Sequence, residues 1–150
     1  MAERERTARR VARPTPTSQG PGRVLITIYA VFAISASARA GVQLLTKFAE
    51  APLAYLLSAF AALVYVVATV ALIKGGPVGR AVALVAVLTE LTGVIGVGLL
   101  TVLDRGDFPE ATVWSGFGAG YGYVPLVLPV LGLAWLWHTR ARTEADQAPE

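Results

Sequence analysis

Arg39 and Glu90 are the residues in this chain whose type and placement could do chemistry, because each stands inside an apolar run long enough to cross a bilayer. A charge at the centre of a lipid-spanning helix costs about 2.5 to 3.5 kcal/mol on insertion scales, so such groups face an interior and find partners. Opposite signs predict that these two form an intramembrane ion pair. Two kinds of chemistry could follow. The pair could fix helix register and orientation, or Glu90 could take up and release a proton on an ion or proton path that Arg39 controls. A pump or transporter usually shows several intramembrane acids or an internal repeat. The sequence displays one such acid and no repeat, and the register role is the expected one.

The elements that must position the pair are read from composition and spacing. Of 150 residues 55% are hydrophobic and only 15% charged, which places the chain among membrane proteins. Four segments reach the roughly 20 apolar residues that a span needs: 24–45, 51–73, 78–103 and 117–137. An all-α fold is expected, a four-helix antiparallel transmembrane bundle over 23–138, with disordered tails at 1–22 and 139–150. The first tail holds Pro14, Pro16, Gly20 and Pro21 among its arginines and cannot bury enough apolar surface to fold.

Orientation follows from the basic residues. Arg4, Arg6, Arg9, Arg10, Arg13 and Arg23 precede the first segment, Lys74 and Arg80 flank the second connection, and Arg140 and Arg142 follow the last segment. Only Lys47 and Arg105 fall on the other side. The positive-inside rule then puts both termini in the cytoplasm. The net charge of +3 is mainly this topology signal. Without aromatic interleaving or a folded platform it does not predict nucleic-acid binding. The same N-terminal region could be read as a signal peptide cleaved after Ala38-Arg39-Ala40, but the apolar run continues through Gly41, Val42, Leu44 and Leu45, which favours a retained span.

Helical spacing assigns faces. Ser35, Arg39, Gln43 and Thr46 make one polar stripe on the first segment, and Tyr55, Ser58, Ala62, Tyr65 and Thr69 another on the second. On the third, Glu90 stands in a row of small residues, Ala83, Ala86, Gly93, Val97 and Thr101, that would let a neighbour come close. Counting from the segment starts puts Arg39 about 6 Å above Glu90 at 1.5 Å per residue, a gap an arginine can cover. Tyr65 and Ser58 fall at the depths of Glu90 and Arg39 and are expected to support them. In the fourth segment Gly116 and Gly120, four apart, are expected to serve close helix packing, and Pro125 and Pro129 to kink it.

Other motifs carry less. Gly120-Tyr121-Gly122 matches the core of a potassium filter, yet the preceding Thr-Val is missing and the connection is short for a pore helix. The outer-loop acids Asp104, Asp107 and Glu110 could meet a divalent cation, although solvated loop carboxylates are the ordinary explanation. With one histidine, His138, and no cysteine, neither a metal cluster nor a nucleophile with its base can be read, and no enzyme activity or cofactor is expected.

The runs Pro52-Leu53-Ala54-Tyr55-Leu56-Leu57-Ser58-Ala59, Phe108-Pro109-Glu110-Ala111-Thr112-Val113-Trp114-Ser115 and Val124-Pro125-Leu126-Val127-Leu128-Pro129-Val130-Leu131-Gly132 resemble those of small, uncharacterised four-helix integral membrane proteins of actinobacteria. The resemblance covers about 23–137. It implies the four-helix fold and a place in the cytoplasmic membrane, and carries over no functional residue. The resulting expectation is a multi-pass, non-enzymatic accessory or assembly subunit that contacts the lipid bilayer and binds a membrane-protein partner or further copies of itself. The alternative is a small oligomeric transporter or channel component with Arg39 and Glu90 on its path.

Overall fold

The computed structural model describes residues 20–104 and 110–145. The basic arm before Gly20, Asp107 and the last five residues lie outside them. Among the described residues the fold is all helical, with four α-helices, α1 (Pro21–Thr46), α2 (Pro52–Lys74), α3 (Gly76–Leu103) and α4 (Val124–Ala145), and a short 3-10 segment, Ser115–Tyr121, ahead of α4. At 26, 23 and 28 residues, α1 to α3 run about 39, 35 and 42 Å, enough for a hydrocarbon core of about 30 Å. Those three are long and apolar enough to span a membrane, or four if Ser115–Tyr121 and α4 count as one broken span bent by 99°.

Proline opens α1 to α3, at Pro21, Pro52 and Pro77, in the first turn, where its missing N–H has no intrahelical partner to lose. The turn from α2 to α3 is a single residue. Gly75 caps the C-terminus of α2 and the N-terminus of α3 at φ 59° and ψ −155°, a conformation essentially reserved for glycine, and its N–H still bonds the Ala71 carbonyl at 3.0 Å. The turn between α1 and α2 carries the exposed Lys47–Glu50 ion pair, 3.9 Å apart and worth little in water.

Packing follows chain order: α1 lies along α2, α2 along α3, and α3 along both α4 and the 3-10 segment, while α1 touches α4 narrowly and has no backbone contact with α3. The spans are unequally covered. In their most apolar windows half of α2 is buried but only 22% of α1. Ile34, Leu45, Val78 and Leu103 stand more than 70% exposed, as lipid-facing side chains do.

The stripe expected on α2 is inward throughout: Tyr55, Ser58, Ala62, Tyr65 and Thr69 are all buried. On α1 the stripe is rotated. Leu25, Tyr29, Ala33, Ala40 and Gln43 face inward, whereas Ser35 and Thr46 are exposed. Hydroxyls mislead here because a helix satisfies them itself: Thr46 donates to the Val42 carbonyl at 2.7 Å and Thr27 to Arg23 at 2.8 Å.

Three boundaries differ from the sequence reading. α1 starts at Pro21, so that 21–22, expected in the disordered tail, is helical because proline suits the first turn. The fourth helix begins at Val124, not Phe117, because Gly116, Phe117 and Gly118 all adopt positive φ and break the helical path. Gly116 and Gly120 are therefore not helix-packing residues; a side chain at Gly120 would meet nothing within 4 Å. Pro125 falls in the first turn of α4, leaving Pro129 as its only interior proline. At the other end α4 continues to Ala145, so 139–145 is helical.

The small face of α3 receives aromatic rings of the segment ahead of α4. A Cβ on Gly93 would lie 2.5 Å from the Trp114 ring, and one on Gly98 the same distance from Phe117. Thr101 completes the seam by accepting the Gly116 N–H at 2.8 Å. Gly93→Val and Gly98→Val should each lower stability by about 1 to 3 kcal/mol through overpacking. Gly96→Ala, which meets only open space, should leave it unchanged or raised. Thermal unfolding in detergent reads the difference, and equal effects at the three positions would contradict this packing.

Candidate functional site

Glu90 is fully buried on α3. Its Oε2 accepts a hydrogen bond of 2.8 Å from the Tyr29 hydroxyl of α1. Tyr29 crosses the middle of the molecule to do this, passing beside Gly132 of α4 and Val87 of α3. A Cβ on Gly132 would sit 3.2 Å from the Tyr29 hydroxyl and 3.3 Å from Val87. The Tyr65 hydroxyl of α2 lies beside the same carboxyl, and the Trp114 indole N–H lies beside Tyr65. Three atoms of this cluster, Glu90 Oε1, Tyr65 Oη and Trp114 Nε1, are buried without a closed hydrogen bond. A hydroxyl can donate to a carboxylate or accept from an acid, so Tyr65 can serve either protonation state of Glu90.

The expected Arg39–Glu90 ion pair is not formed. Arg39 donates from Nη1 to the Tyr121 hydroxyl and from Nη2 to the Ala111 carbonyl at 3.0 Å, with its guanidinium carbon 5.9 Å from the centre of the Tyr121 ring. Arg39 and Glu90 close no ion pair with each other. Two physical reasons separate the charges. α1 and α3 have no backbone contact, so nothing brings Arg39 laterally near Glu90. Counting depth from helix starts assumed that the helices begin level. The residue of α1 that meets Glu90 is Tyr29, ten positions before Arg39, which is about 15 Å along the axis.

The two polar sites are joined by an aromatic column. Tyr29 and Tyr65 have ring centres 6.3 Å apart, Phe32 lies 5.6 Å from Tyr65, and Tyr121 lies 6.2 Å from Phe32. These are ordinary separations for tilted aromatic pairs, worth about 0.5 to 1.5 kcal/mol each beyond their buried area.

The remaining candidates scatter. Ser58 and Thr69 are buried but bond their own helix, to Ala54 at 2.9 Å and Tyr65 at 2.7 Å. Gln43 is buried with its Oε1 unpartnered. Asp104 is exposed and Glu110 half-buried, and no group of three possible metal ligands occurs among the described residues. Tyr121 of the filter-like triplet is held by Arg39. His138 stacks beside Trp135 at 6.2 Å.

The sequence reading missed Tyr29 and the inward position of Trp114. A signal was present for Tyr29. Tyr29 is the sixth residue of the apolar run 24–45, one turn from Leu25 and Ala33 on a helix, and a tyrosine on such an apolar face implies a buried hydroxyl that needs a partner. Trp114 stands beside the outer end of an apolar segment, where a tryptophan is expected at the headgroup level, yet it is 1% exposed, edge-on to Phe60 and seated on Gly93.

Double-mutant cycles separate these geometries. Tyr29→Phe with Glu90→Gln should show coupling of about 0.6 kcal/mol, near the mean for buried hydrogen bonds in a membrane. Arg39→Gln with Glu90→Gln should be additive within about 0.5 kcal/mol. Exchanging the charges, Arg39→Glu with Glu90→Arg, should fail to restore stability. Unfolding in mixed micelles measures all three, and rescue by the exchange would reinstate a direct pair.

Comparison of the chain with family models, with curated proteins and with solved structures found no match.

Proposed function

We propose that this is a four-span protein of a bacterial cytoplasmic membrane with both termini inside, and that it works without catalysis as an accessory or assembly subunit. Its docking surface is the cap formed by Ala111 to Tyr121 at the outer end. The observation that carries this reading is the use of Arg39. A charge costly to place in a lipid-facing helix holds the Ala111 carbonyl and the Tyr121 hydroxyl, so it shapes a connection between spans. Further local bonds stiffen the same cap. The Thr112 N–H bonds Ser115 Oγ at 2.9 Å, the Trp114 N–H bonds Thr112 Oγ1 at 3.1 Å, and Thr101 holds Gly116. A loop already ordered loses less entropy when a partner binds.

A second reading, a component of an oligomeric transporter or channel, is favoured by one observation: Glu90 Oε1 is buried with no closed hydrogen bond. In that case Glu90→Gln would abolish transport while the fold persists.

Because the sequence has no cysteine, topology can be mapped cleanly with single substitutions. Lys47→Cys and Glu110→Cys should react with a membrane-impermeant thiol reagent in intact spheroplasts, and Lys74→Cys and Arg140→Cys only after lysis. The reverse pattern would overturn the orientation. For the role itself, affinity purification in mild detergent should recover a membrane protein in fixed ratio to the wild-type chain. Thr101→Val or Arg39→Gln, checked for retained helicity and monodispersity, should lower that ratio at least tenfold. Recovery of this chain alone from both samples would count against the accessory reading.

A further inference from the structure

A cavity of about 210 Å³ lies against the aromatic column where α1 faces α2 and the cap. Phe32, Ser35, Ala36 and Arg39 of α1 line it, with Ser58 of α2 and Tyr121 of the cap. Its walls are largely apolar, and its polar groups are one guanidinium and three hydroxyls. We propose that it is a binding site for the anionic end of an amphiphile, a carboxylate or phosphate carried on an apolar chain.

Charge gives the sign of the ligand. A guanidinium remains protonated under all ordinary conditions. The two acceptors that Arg39 meets, a phenol and a peptide carbonyl, are both neutral. Among the described residues no carboxylate closes an ion pair with it. Glu50 and Glu110 share the surroundings of Tyr55 with Arg39 but neither closes on it, so a positive charge is held beside an apolar cavity with no carboxylate bonded to it, where an interaction with an anion is stronger than in water. Arg39 has five N–H donors, of which the two bonds above engage two. The exposed Ser35 hydroxyl lies one turn before it on the same lining face.

Shape gives the class. The cavity holds the volume of about seven waters at roughly 30 Å³ each, enough for a carboxylate or phosphate and the first few carbons of a chain, but not for a whole lipid. The rest of the chain would run along the lipid-facing side of α1, where Val31 is 55% and Ile34 72% exposed. Depth is compatible. Arg39 precedes the end of α1 by seven residues, about 10 Å, and with the roughly 9 Å by which α1 exceeds the hydrocarbon thickness shared between its ends the Cα lies about 6 Å inside the boundary, from where the guanidinium reaches the cap. A free inorganic anion would gain nothing from the apolar walls. The site does not depend on the accessory role proposed above.

Native mass spectrometry of the full chain in non-ionic detergent tests the site. The probes are oleate, phosphatidylglycerol, phosphatidylcholine and oleyl alcohol, which separate a carboxylate source from a phosphate source and both from uncharged or zwitterionic controls. One-to-one adducts with oleate or with phosphatidylglycerol should form at concentrations at least tenfold below those needed for the controls. Arg39→Gln should remove that preference and Arg39→Lys retain it. Because Arg39 also holds the cap, Ala36→Phe provides a second variant, which fills the cavity and leaves both bonds of Arg39 untouched. It too should lose the tenfold preference. Equal binding of charged and control amphiphiles, or an undiminished preference in a folded Ala36→Phe, would overturn the proposal.

Discussion

In a hydrocarbon medium a buried carboxyl must be met by protein, because no solvent reaches it. The hydrogen bond from Tyr29 to Glu90 answers that demand, and much of the arrangement follows from it. It ties the first helix to the third, which share no backbone contact, through the middle of the molecule. To let the tyrosine through, α4 must offer no side chain at Gly132, where a Cβ would press on both the Tyr29 hydroxyl and Val87. Tyr65 and Phe32 then extend the same aromatic packing toward the cap. One polar group at the centre thus sets which residues of four helices can be large.

Arg39 solves a different problem at the other end of the column. A connection between spans has many backbone groups to satisfy and little apolar area to bury, and it remains loose unless side chains supply partners. Here the guanidinium, Thr101, Thr112 and Ser115 supply them. The strained residue Phe117, at φ 61°, is held where its ring fills the space above Gly98. The two charges that look like partners in the sequence therefore have separate duties, one in the core and one at the rim.

The sequence made the extent of the first three apolar segments legible, because span length is set by bilayer thickness and not by tertiary detail. It also exposed the inner face of α2 and the small-residue row of α3, since both follow directly from the helical period. Opposite charges in two spans misled, because period and sign say nothing about whether two helices are neighbours or how their ends are offset. The start of α4 was hidden for a local reason. Gly116-Phe117-Gly118 belongs to an apolar run, and only its left-handed backbone separates it from the helix. Tyr29 was legible only from its place on an apolar helix face with Leu25 and Ala33, and it does not stand out beside charged residues.

Gly75, the one-residue link between α2 and α3, has a mechanical consequence. With no slack between them, and with the Gly79 position pressed so closely on α2 that a Cβ there would stand 2.8 Å from the Ala71 carbonyl, neither helix can slide or roll without the other. At this end the two spans form a tight hairpin. α1 joins it through a longer turn and is the least covered span, and it meets α4 narrowly beside an open seam of about 700 Å³ near Gly20 and His138. The short link thus fixes how α2 and α3 meet at one end, and the Tyr29 hydroxyl on Glu90 ties α1, already packed along α2, to the same hairpin at its centre.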